Sequence, residues 1–168
     1  MNHLSRRALL RSTALISVAL ASGCTALSSI GSVDMVKVAD DVHTISGAIS
    51  TVENAIGTLQ SVPASVVQRV TALIENVKAT AASVTATISS AASQPLVVRI
   101  EDDLSSAFTA LKGSGVLPAN MAQVFSDGLT VLGAVKTAIG LVSMIALAPS
   151  PGEVDAARLR LKAVAGRV

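Results

Sequence analysis

From Met35 to Leu59 an apolar residue recurs every three or four positions without a break. Met35, Val38, Val42, Ile45, Ile49, Val52, Ile56 and Leu59 are spaced 3-4-3-4-3-4-3. That spacing puts one narrow apolar stripe along a single helix, sustained over more than three heptads. Asp40, Asp41, His43, Glu53 and Asn54 fall off the stripe. A helix of this kind must bury its seam, either inside its own bundle or against a second copy of the chain. Gly47 and Gly57 weaken it by about 1 kcal/mol each relative to alanine.

The same period continues downstream. Pro63 suits the first turn of a second helix, with Val66, Val70, Leu73, Val77, Val84 and Ile88 on one face and Ala81 in the gap. From Ala79 to Ser93, 13 of 15 residues are Ala, Ser or Thr. Small faces there allow close helix approach, although Val84, Ala86 and Ile88 also alternate as a strand would. Pro95 is placed to begin a third helix, with Val97, Ile100, Leu104, Phe108 and Leu111 inward, ended by Gly113-Ser114-Gly115. Pro118 begins a fourth, from about 119 to 148, with Met121, Phe125, Leu132, Val135, Ile139 and Val142 inward. Pro149 stops it. Ser150-Pro151-Gly152-Glu153 then reads as an N-cap, a first-turn proline and a capping-box glutamate. A short basic helix with Arg158, Arg160 and Lys162 follows. The expected fold is all-α: an antiparallel bundle of four longer helices and one short C-terminal helix over residues 34–168.

Half of the 168 residues are hydrophobic, yet there are two Phe and no Trp or Tyr. That argues against aromatic stacking platforms for sugars or single-stranded nucleic acid, and the absence of Trp and Tyr removes the usual interfacial membrane anchors. The segment 129–148 carries a single charge, Lys136. Its nine strongly apolar residues contribute about −3 to −5 kcal/mol to insertion, and Lys136 opposes with up to about +3. With its glycines and hydroxyl residues the sum is near zero. The soluble-type stripes of the preceding helices need a partner, and this helix is the expected one.

The N-terminus has a different logic. Arg6, Arg7 and Arg11 form a basic segment without an acid, followed by an 11-residue apolar run from Ser12 to Ser22. A helix of that length rises about 16 Å, roughly half a hydrocarbon core, so it suits a cleavable signal over residues 1–23 and not a membrane span. Leu20-Ala21-Ser22-Gly23 lead into Cys24, the chain's one cysteine. This stretch resembles the lipobox of bacterial lipoprotein precursors, with the leucine one place early. The resemblance implies cleavage before Cys24, lipid on its sulfur, and a Ser/Thr/Ala/Gly-rich tether over 24–33. Ser5, Arg6, Arg7, Leu9 and Leu10 resemble the twin-arginine export motif, with Leu9 in the usual aromatic place. Thr25 after the cysteine resembles outer-membrane sorting, on the periplasmic side, in a Gram-negative cell.

Removing the signal reverses the charge. Three of the 13 basic residues lie within it, leaving 10 against 11 acids, a net −1. The basic pI near 9 is thus a property of the signal and implies no nucleic-acid partner. The remaining 145 residues hold no second cysteine for a disulfide, so stability must come from helix packing.

Catalytic chemistry finds little to use. His43 is the one histidine after the signal, and it lies on the polar side of its helix. Asp40 and His43 share a face at i, i+3, but no third metal ligand joins them. Glu101-Asp102-Asp103 sits near the start of the expected third helix, where negative charge suits the macrodipole. Gly113-Ser114-Gly115 lacks the Lys-Ser/Thr of a phosphate loop. The expectation is a lipid-anchored, non-enzymatic envelope protein without cofactor or metal. It would bind its own copies through the Met35–Leu59 seam, or another envelope component. Two alternatives stand beside it. One is a carrier of apolar small molecules. The other is a two-membrane bridge with a span at 129–148, whose layout resembles the spanins of phage lysis cassettes.

Overall fold

The computed structural model describes residues 33–59, 61–87, 89–141 and 148–166. The signal, Cys24, nearly all of the tether, Ile88, Val142 and Arg167 lie outside them. Five helices are described: α1 (Met35–Ile56), α2 (Ala64–Thr85), α3 (Ser90–Gly113), α4 (Ala119–Ala138) and α5 (Pro151–Ala165). No strand occurs among the described residues, and 84–85 belong to α2. The expected all-α bundle is the fold.

Asp34 starts α1 by accepting a hydrogen bond from the Lys37 amide at 3.1 Å, as an N-cap does. Val38, Val42, Ile45, Ile49, Val52 and Ile56 are 0–3 % exposed. The seam is the core of its own bundle: α1 packs on α2, α4 and α5. Leu59 falls past the end of the helix and is half-buried, as is Met35. The seam is thus occupied within the chain and presents no apolar stripe to a second copy.

Helices α2, α3 and α4 pack in sequence, and α4 returns to α1. Four helices thus close a ring, and α5 lies in the groove between α1 and α4. Gln94 Nε2 donates to the Ile139 carbonyl at 2.8 Å, and Lys136 meets Glu101 at 2.6 Å. Early α3 residues therefore face late α4 residues, so the pair is antiparallel. On α5, Arg158 meets Asp41, and a side chain at Gly47 would touch Ala165. Position increases together along both helices, so α5 runs parallel to α1, as the fifth helix of an alternating series must.

Four expectations are corrected. On α2 the inward residue is Ile74, 0 % exposed, while Val66 and Leu73 are half-buried. The stripe Val70, Ile74, Val77, Ala81, Val84 keeps a 4-3-4-3 spacing. Helix α3 begins at Ser90, capped by Ser89, whose hydroxyl accepts from the Ala92 amide at 3.3 Å. Pro95 lies inside the helix. On α3, Ala107 takes the core and Phe108 is half-buried, stacked on Phe125 with centroids 5.4 Å apart. Helix α4 stops at Ala138, ten residues early, because Gly140 adopts φ +79°, a left-handed turn that glycine takes at no steric cost. No described helix is long and apolar enough to cross a membrane.

Candidate functional site

The groove that receives α5 contains the two most buried acids among the described residues. Asp41 on α1 is 4 % exposed and Asp127 on α4 is 3 % exposed. An isolated carboxylate at that depth costs several kcal/mol, so each needs a dedicated partner. Arg158 supplies one: its Nε and Nη2 donate to Asp41 Oδ1 and Oδ2 at 2.7 and 2.6 Å. Arg160 supplies the other: its Nε and Nη2 donate to Asp127 Oδ2 and Oδ1 at 2.8 and 2.6 Å. Both are two-pronged guanidinium–carboxylate pairs, the geometry that lysine cannot make. Gln123 Nε2 adds a bond to Asp127 Oδ1 at 2.8 Å. Hydrogen bonding to these carboxylates holds both guanidiniums above their ordinary pKa.

Around this core lie weaker links. Arg158 Nη1 donates to Asp155 at 3.0 Å, and Lys162 meets Asp40 at 3.2 Å with both side chains exposed. The N-terminus of α5 is fixed by the expected capping box. Glu153 N donates to the Ser150 hydroxyl at 3.3 Å, while the Ser150 amide and hydroxyl donate to Glu153 Oε2 at 2.9 and 2.7 Å. Those two bonds, the hydroxyl's first, hold the Glu153 carboxyl below the usual carboxylate range.

Beside the Asp41–Arg158 pair opens a cleft of about 420 Å³. Its walls come from the first turns of α1, the last turns of α4 and the start of α5. They are mostly small and apolar, including Val38, Ala134, Ala138, Ala148, Pro149 and Val154. The volume falls in the range of small-molecule sites.

The sequence-derived candidates distribute as follows. His43 and Asp40 are exposed on α1. Among the described residues no group of three or more His, Cys, Asp or Glu gathers for a metal. The acidic run lies at mid-helix, because α3 starts at Ser90, so it gains nothing from the helix terminus. Glu101 is paired with Lys136, and Asp103 Oδ2 is buried without a hydrogen bond. Cys24, the export motif at 5–10 and the cleavage stretch at 20–23 lie outside the described residues.

Sequence reasoning missed Asp41 and Asp127 by placing charge on the polar face. A signal was available: each acid sits three residues after one buried valine and four before another buried apolar residue (Val38 and Ile45; Val124 and Val131). An acid at core spacing, with arginines on a later helix, marks a buried pair. No protein-family model, no curated protein and no solved structure matches this chain.

Proposed function

We propose that the chain is an exported lipoprotein, anchored to the cell envelope through lipid on Cys24, whose helical domain acts by binding and not by catalysis. One observation carries this reading. The chain's single cysteine follows a small-small-Gly stretch, after a basic segment and an apolar run too short to span a bilayer. The domain supports it by its economy of chemistry: the two most buried acids among the described residues, Asp41 and Asp127, are each saturated by an arginine. Groups so engaged hold structure and do not exchange protons with a substrate.

The test combines intact mass with fractionation. The expressed protein should carry the mass of residues 24–168 plus lipid and partition with membranes. A Cys24→Ala variant exported behind an ordinarily cleaved signal should be water-soluble without detergent. If that variant stays in the membrane, a second anchor exists, and the two-membrane bridge replaces this reading.

A carrier of an apolar small molecule is the second reading, favoured by the Ala/Val/Pro-lined cleft. Native mass spectrometry of the soluble variant separates the two, since a carrier retains a bound molecule.

A further inference from the structure

We infer that α5 is a charge-locked latch, which opens as a unit when Asp41 and Asp127 are protonated, while α2 and α3 stay folded. Its apolar hold is small. Only Val154, Ala157 and Leu161 of α5 are buried, against seven apolar residues on α1. Its other anchors are charges. Arg158 and Arg160 reach past the helix surface to carboxylates that are 4 % and 3 % exposed. Protonating a buried carboxylate removes the counter-charge from a guanidinium that cannot itself neutralise, so the attraction holding the helix disappears.

The surroundings do not buffer this change. Asp41 faces Arg158, with Asp155 bonded to the same guanidinium. Its own helix contributes Asp34 and Lys37 to the adjoining cleft, and the α4 wall there brings no charge. Asp127 faces Arg160 and neutral Gln123, with Glu153 lining the same groove. Lys162 and Asp40 form the remaining link in solvent. Acid also weakens the Ser150–Glu153 cap, so every carboxylate that secures α5 acts in one direction. Helices α2 and α3 are held differently, with Val70, Ile74 and Val77 on one and Ile100 and Leu104 on the other, all 0–1 % exposed. Opening the latch uncovers the α1–α4 groove. The inference rests on the bundle alone and is independent of the lipid on Cys24.

Hydrogen exchange on the full chain in detergent tests it, after correction for the intrinsic rate at each pH. As pH is lowered stepwise from neutral into the range of acid denaturation, α5 amides should lose at least about tenfold in protection at a pH where α2 and α3 amides still hold theirs. The Asp41→Asn/Asp127→Asn variant should show α5 open already at neutral pH, with α2 and α3 protected. Joint loss of protection by α5, α2 and α3 in acid overturns the inference. So does full α5 protection in the doubly substituted chain. Should that variant fail to fold, the acid series on the unaltered protein decides alone.

Discussion

Asp41 and Asp127 occupy places that helical spacing would give to valine, and their partners differ in depth. The Arg158 side chain is 19 % exposed and that of Arg160 is 51 % exposed. Water already screens the second pair, whereas the first works in a drier setting. Arg158→Ala strands Asp41 without a counter-charge, and the expected loss is about 2–4 kcal/mol, toward the lower part of what breaking a buried pair costs. Arg160→Ala should cost less, because its guanidinium is already half in water and Gln123 still donates to Asp127 once it is gone. Urea denaturation of the two variants checks the order. Equal losses would mean that exposure of the arginine does not set the strength of the pair. Replacing Arg158 by lysine should restore only part of the loss, since an ammonium cannot span both carboxylate oxygens.

Helix α5 shows how much of an element a sequence can disclose. Ser150-Pro151-Gly152-Glu153 names the cap, the first turn and the returning glutamate in four residues, and all three take those roles. Helix α1 was equally legible, because eight apolar residues at one spacing leave no rival reading. The start of α3 was not. Ser89 sits in a run of Ala, Ser and Thr with no apolar period, and Pro95 is the strongest punctuation nearby. Tertiary packing of Ser93 and Val97, both 0 % exposed, extends the helix through a residue that local propensity would place at its start. The end of α4 was hidden for the opposite reason: apolar residues continue past Gly140, and its positive φ is not written in hydrophobicity. The α5 cap also carries a pH dependence. The folded Glu153 carboxyl has a lowered pKa, so its contribution is present above the ordinary glutamate value and is lost as pH falls through the lowered one. Ser150→Ala should therefore destabilise by about 1 kcal/mol near neutrality. That difference should shrink in acid. Thermal melts of the pair at both pH values read it, and a pH-independent gap would remove Glu153 from the cap.

At the scale of the molecule, the described residues hide nearly all of their large apolar side chains. Half the residues are hydrophobic, yet the exposed large ones among the described residues are Val36, Val98 and Leu159, on three different helices. A stable dimer needs roughly 800 Å² from each partner, and scattered single residues do not form such a patch. The seam from Met35 to Leu59, the longest apolar stripe among the described residues, is consumed by the chain's own helices. The unacylated protein should consequently be monomeric at micromolar concentration by sedimentation equilibrium, even though its mean hydropathy is positive. On the proposed reading, the lipid would carry membrane attachment and surfaces other than the α1 seam would carry partner binding. A dimer would mean that α1 opens to share its stripe, at the cost of exposing Ile45 and Ile49, both 0 % exposed. A monomer with α1 protected at every concentration places the seam wholly in the service of the fold.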